Sequence, residues 1–321
     1  GDADDELPPG MANETVYDVT TDGEVSPGDD VSQAINTTTA ETILVPAGEY
    51  QVEDTVVIKD DTTLFFDDVT LRPPAGTNPV VFECGWHVGG DVEIDQREAY
   101  PRVHLTGSGQ FGDEHGRISF RGTTPLELID DKNDPQHETG FLRTWGSPDD
   151  RIRVMNLDQY EAPPQNECAD PNFFWTTYPG TLEVVRCHIG NFHDNGFYVK
   201  TMKGRLEIYD SYLINNNVAA VRNGVTGGVR MERCHVRTAG NRNPARTAGR
   251  TCAGVNHSMM AFQDTGGAGD GETGDVVLDT VCYSKGQNPP AGEFLRQGPG
   301  EGGGCTVTIH NCTWPEYPFW G

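Results

Sequence analysis

Lysine is scarce in this chain. Five of its 321 residues are lysine, the other 18 of its 23 basic residues are arginine, and the formal net charge is −26. Nucleic-acid binding needs a basic footprint, which this composition excludes. Long apolar runs are missing as well: none approaches the roughly 20 residues that span a bilayer. No signal-peptide pattern opens the chain, which reads as a mature form. The eight cysteines show no CxxC or Cys/His spacing of the zinc type, so no metal cluster is expected.

What the chain does have is repetition. Units of 23 or 24 residues run from Thr181 to Gly204 and from Arg205 to Gly228, with a shorter version from Val229. Apolar residues alternate at Leu182 and Val184, at Leu206 and Ile208, and at Val229 and Met231, which is a strand pattern. Each unit then passes an Asn-rich bend (Asn191 to Asn195, Asn215 to Asn217) into a second apolar stretch. One unit alone leaves an apolar face uncovered, so the units must stack as a solenoid. Asn195 and Asn217 are expected to form amide ladders between rungs. Looser copies of the strand occur at Arg102 to Thr106 and Arg151 to Leu157, and later ones at Asp275 to Cys282 and Cys305 to Trp314.

The first third points the same way. SPGDDVSQAIN (Ser26 to Asn36) predicts a short amphipathic helix, with Ser26 or Asp29 as its cap and Val31 and Ile35 on one face. ETILVPAGEY (Glu41 to Tyr50), TVVI, TLFF and VTLRPPAG follow as strands closed by Gly, Pro or Asp. This opening resembles the pectate-lyase-like right-handed parallel β-helix superfamily, in which a capping helix and a V-P-A-G-x-Y strand begin the first coil. The resemblance covers roughly Val31 to Trp314. It implies an all-β fold, a right-handed parallel β-helix with a short N-terminal capping helix. Residues 1–25 are expected as a flexible acidic segment and 26–321 as a single β-helix domain, with loops projecting near 123–146 and 165–180. The same opening serves polygalacturonases, polysaccharide lyases and phage tailspikes, so it specifies the fold far better than the chemistry.

The acidic, lysine-poor profile also resembles that of halophilic, particularly haloarchaeal, proteins, since molar salt screens charge within roughly 3 Å. Four sequons (Asn13, Asn36, Asn256, Asn311) are compatible with export. Cys187, Ser211 and Cys234 hold one place in successive units. Two rungs separate Cys187 from Cys234 by about 9.6 Å, beyond disulfide reach, so buried thiols are expected there, with Cys312 in the same column. Cys84, Cys168, Cys252, Cys282 and Cys305 stay open as disulfide partners.

Reactive groups are densest in GNFHDNGFYVKT, which contains His193, Asp194, Asn195, Tyr198 and Lys200. Laying VAAVRNG on GFYVKTM puts Arg222 on Lys200, and GEFLRQG adds Arg296. Lys200, Arg222 and Arg296 would then form a basic stripe beside Tyr198 and Phe294, suited to a carboxylated or sulfated glycan. The alternative is that these bases pair with Glu183, Glu207 and Asp210. Asp194, Lys200 and Arg222 are the catalytic candidates. His193, Tyr198 and Arg296 are candidates for ligand binding, together with Phe174 and Trp175 from the aromatic run NFFWTTY. The ordered polygalacturonase motifs, among them G-H-G, are missing, and so is the acidic Ca²⁺ cluster of pectate lyases. GGAGDGETGD (Gly266 to Asp275) resembles Ca²⁺-holding β-roll turns, but it occurs once and with different spacing, so a solvated loop is the better reading and no cofactor is required.

Two functions remain open. One is an extracellular protein that binds, and in its enzymatic form cleaves, acidic polysaccharide, as a lyase or glycoside hydrolase. The other is a structural or adhesive protein of a cell surface or virion, in which a homo-oligomer such as a trimer would fit and the terminal aromatics Trp314, Tyr317, Phe319 and Trp320 would cap the coil or meet another chain.

Overall fold

Strand-length apolar alternation repeated along a chain leaves each unit one face to bury, and stacking the units satisfies that need. A computed structural model describes residues 16–77, 80–85, 87–122, 140–159, 172–175, 177–192, 195–199, 201–216, 219–238, 258–262, 273–285, 294–297, 305–314 and 319–320. It is a right-handed parallel β-helix. Each coil contributes to three faces. Thr181–Val185, Arg205–Tyr209 and Val229–Glu232 stack on the first, and His188–Gly190, Tyr212–Ile214 and His235–Thr238 on the second. Asn195–Val199, Ala219–Asn223 and Ser258–Phe262 stack on the third. Among the described residues the third face holds ten strands, one per coil, from Val56–Ile58 to Phe319–Trp320. In early coils the strands Thr63–Arg72 and His87–Asp95 run through the corner, so the first two faces form one 18-stranded sheet.

The corner between those faces is made by one residue in the left-handed region: Arg186 (φ 53°), Asp210 (50°), Arg233 (51°), Thr280 (55°) and Asn311 (50°). The next residue turns inward, and at four of these five corners it is Cys or Ser, with Val281 at the other. Cys187 Sγ lies 3.4 Å from the Val185 carbonyl oxygen, the Ser211 hydroxyl donates to the Tyr209 carbonyl at 2.7 Å, and Cys234 Sγ lies 3.3 Å from the Glu232 carbonyl. Cys312 repeats the contact with the His310 carbonyl at 3.2 Å. These thiols are free, as are Cys282 and Cys305, which the sequence left open as disulfide partners. Burial pushes the Cys187 and Cys234 thiols up to about 12. The corner column is therefore a hydrogen-bonding device with inert sulfur.

Inside, Phe120, Phe141, Phe173, Phe192 and Phe197 form a continuous chain of ring contacts. Where a polar side chain points inward it bonds its counterpart on another rung: the Asn195 amide donates to Asn172 Oδ1 at 2.9 Å, and the Gln159 amide to Gln96 Oε1 at 3.2 Å. Such pairing lowers the cost of burying an amide, although Asn195 Oδ1 finds no partner.

Two expectations change at the N-terminal end. The helix is Ser32–Thr37, and neither Ser26 nor Asp29 caps it. Asp30 Oδ1 instead accepts from the backbone N–H of Ser32 (3.0 Å) and of Glu53 (3.0 Å), tying the helix start to the first coil. Val31 and Ile35 are buried as expected. Val16–Asp18 pairs with Thr42–Leu44, so the β-helix begins ahead of the boundary placed at Ser26.

Thr280 is the one β-branched residue among these left-handed corner positions, where a Cβ branch is costly. Thr280→Asn is expected to raise the unfolding free energy by about 1 kcal/mol, measured by chemical denaturation; an unchanged or lowered midpoint would show that the corner is not strained.

Candidate functional site

Register fixes what meets on each outer face. On the first face the carboxylates are spent on arginines: Arg151 and Arg153 hold Glu183 at 2.7 and 2.8 Å, Arg151 and Arg205 hold Glu207 at 3.0 and 2.8 Å, and Arg233 holds Asp210 at 2.6 Å. Glu183, Glu207 and Asp210 are thus engaged by other arginines than those expected. On the second face Arg121 holds Asp158 at 3.0 Å.

The third face differs. Its central outward column runs Val57, Glu83, His104, Arg143 in consecutive register. In backbone register the same strand position continues as Trp175, Tyr198, Arg222, Ala261, Arg296, Trp320. The pairing of Leu142 with Phe174 joins the two runs. Along ten coils these positions hold one acid, Glu83, two small apolar residues, Val57 and Ala261, and seven arginine, histidine, tyrosine or tryptophan residues.

Near one end the column thickens into a cluster. His104 packs edge-on against Trp145 at 4.8 Å, and Trp145 is 44% exposed. Arg143 is buried, and Arg102 lies half-buried on the strand with His104. Tyr100 is buried, and its hydroxyl finds no hydrogen-bond partner; neither does His104 Nε2. Burial, then the positive charges of Arg102 and Arg143, lower His104 to about 4, so its imidazole is neutral at neutral pH. Burial raises the Tyr100 phenol well above its ordinary value, against the pull of the same two arginines. Two guanidinium groups therefore stand beside two neutral, unspent polar groups.

Further along, the Arg222 guanidinium lies 4.8 Å from the centre of the Tyr198 ring. This corrects the expected stripe: Arg222 is in register with Tyr198, two residues before the place assigned to Lys200. Arg222 and Arg296 do share a column, with Ala261 between them. Phe174 is not a ligand contact but a core residue, fully buried and 6.0 Å from Phe197. Phe173 and Tyr178 are buried with it, the Tyr178 hydroxyl donating to the Gly107 carbonyl at 3.1 Å. Trp175 and Arg296 occupy strand positions of the third face. His193, Asp194, Lys200, Asn217 and the Gly266 to Gly271 stretch lie outside the described residues.

The cluster of Tyr100, Arg102, His104 and Arg143 was missed in the sequence. RVHLT was recognised as a strand, but Gly140–Trp145 lay within a segment expected to project as a loop. The readable signal was alternation: FLRTW carries Arg143 between the inward Leu142 and Thr144, as RVHLT carries His104 between Val103 and Leu105.

No known protein family matches the chain in sequence, and no curated protein matches it. Among solved structures the chain is similar to the iota-carrageenase of family GH82 from A. fortis, solved in the absence of chloride ions. The identity is 12% and the TM-score 0.46, covering 93% of this chain and 90% of that one. It is also similar to the A-module of the mannuronan C-5 epimerase AlgE4 from Azotobacter vinelandii, with 14% identity and a TM-score of 0.36, covering 95% and 100%. At these values neither activity transfers to this chain.

Proton NMR of the histidines checks the electrostatics. His104 is expected to stay neutral down to about pH 4 and to titrate higher in Arg143→Gln. The unfolded chain takes up this proton near its ordinary 6.5, so the stability His104 contributes is complete above that pH and drains away as pH falls toward 4. A His104 resonance titrating at 6.5 would contradict the cluster.

Proposed function

We propose that the third face binds an extended acidic polysaccharide laid along the helix axis. The observation that carries this reading is the outward column itself, in which basic and aromatic residues recur coil after coil on a chain of net charge −26. Rungs repeat about every 4.8 Å, close to the advance of one sugar unit in an extended glycan, so successive residues of the polymer meet successive side chains. Arg102 and Arg222 answer its anionic groups, with the buried Arg143 adding positive charge, and Trp145 and Tyr198 offer ring surfaces to its sugars. Arg296 extends the same column.

The cluster around His104 supports a further step, proton abstraction beside a uronate carboxylate. The two guanidiniums neutralise the carboxylate and make the neighbouring C–H more acidic. Burial, the larger cause of the low His104 value, keeps the imidazole neutral, and a bound carboxylate opposes the smaller effect of the two arginines, so the ring is free to accept the proton. Tyr100 keeps a hydroxyl for the same anion. Such a polymer belongs outside the cell, and the acidic, lysine-poor composition fits a high-salt setting there.

The test is binding and cleavage of polyuronates, sulfated glycans and neutral glycans across a range of NaCl concentrations. Acidic polymers should bind and neutral ones should not. Arg143→Gln and Arg222→Gln should each weaken binding about tenfold, as expected for one charge-assisted hydrogen bond. Polyuronates should acquire unsaturated ends, lost in His104→Gln. Binding without unsaturated ends would leave a glycan-binding protein and remove the role given to His104; failure to bind any acidic polymer would overturn the reading.

A further inference from the structure

A second group of reactive side chains lies on the second face, away from the glycan column. Asp158, His188, Tyr212, His235 and Cys282 occupy one outward column in consecutive register. His188, Tyr212 and His235 stack with ring centroids 4.9 Å apart at both steps. In the neighbouring outward column Arg237 is in register with Ser284. The two columns touch at one point: His235 Nε2 and Ser284 Oγ are 2.7 Å apart.

Each partner is in a state to react. Burial, then the charge of Arg237, holds His235 below its ordinary 6.5, so the ring is neutral at neutral pH and can accept a proton. Tyr212 packed against the imidazole limits its rotation. His235 and Ser284 are only partly buried and Arg237 is exposed, so a substrate reaches all three. A hydroxyl within hydrogen-bond reach of a neutral, oriented imidazole is the arrangement of an activated nucleophile, and a cation beside that hydroxyl stands where an oxyanion would develop.

We propose that Ser284, His235 and Arg237 form a hydrolytic centre for small acyl esters. Ser284 Oγ attacks the ester carbonyl carbon while His235 Nε2 takes the hydroxyl proton, and Arg237 faces the carbonyl oxygen as it becomes negative. The C–O bond to the alcohol then breaks and the alcohol leaves with the proton from His235. Water, deprotonated by the same imidazole, attacks the acyl–Ser284 ester, releasing the carboxylic acid and restoring the serine. The centre lies on an open sheet face, which suits a short acyl group displayed on a polymer better than a long apolar chain. That the polymer is an O-acylated acidic glycan rests on the reading of the third face; the ester chemistry does not.

A fluorophosphonate probe separates the two. Mass spectrometry of the labelled native protein is expected to find the adduct on Ser284. His235→Gln should slow labelling by about a hundredfold or more, and Cys282→Ser should label like the native chain. Acetate release from p-nitrophenyl acetate and from an acetylated polyuronate should both disappear in Ser284→Ala. Release from the small ester alone would uphold the centre and remove its link to the glycan. Labelling elsewhere, or labelling of Ser284 unaffected by His235→Gln, would overturn the proposal.

Discussion

Parallel pairing in register, rung on rung at about 4.8 Å, is the constraint on which everything else in this molecule rests. It gives every side chain two fixed neighbours, one above and one below, and so turns the sequence into columns. An inward column must be apolar or must satisfy itself. Leu182, Leu206, Val229 and Val276 take the first course; Asn172 with Asn195 and Gln96 with Gln159 take the second. The corner column takes a third, pointing small thiol and hydroxyl groups at carbonyl oxygens that the turn leaves exposed.

The same constraint acts on charge. A chain of net charge −26 repels itself unless its carboxylates are distributed with care. On the first face each arginine is set across or diagonally from acids on adjacent rungs. Burial alone would raise Glu183, but hydrogen bonds from Arg153 and Arg151 outweigh it and hold the carboxyl below the usual range. Single exposed pairs of this kind contribute little, and a continuous network contributes more. The third-face column, with Glu83 as its one acid, holds the positive charge of Arg143 and Arg222 on a chain of net charge −26. On the proposed reading, that contrast with the net charge of the chain is what draws an anionic polymer to the column.

The sequence was legible wherever its period was constant. From Thr181 to Glu232 the spacing of first-face strands reveals the coil, the thiol column at Cys187 and Cys234, and the amide ladder through Asn195. It was illegible where insertions of differing length separate the second face from the third, because the count between strands is lost there. Gly140–Trp145 and Asn172–Trp175 were hidden in that way, and with them Arg143 and the core role of Phe174. The displacement of Arg222 from Lys200 to Tyr198 has a related cause. GFYVKTM and VAAVRNG were aligned on resemblance, whereas the unbroken 24-residue step from Leu182 to Leu206 already fixes Tyr198 opposite Arg222. The helix start differs from expectation because Asp30 accepts from Ser32 at the helix start and also from Glu53, in the segment between two strands of the first coil, a contact that local sequence does not reveal.

The central claim is that a glycan lies along the third face. Hydroxyl-radical footprinting of the protein saturated with an oligouronate tests it most directly, because exposed rings report on all sides of the coil at once. The account predicts protection of Trp145 and Tyr198, with His188, Tyr212 and Tyr209 reacting as in the free protein. Protection of the His188–Tyr212–His235 stack with Trp145 left reactive would contradict it.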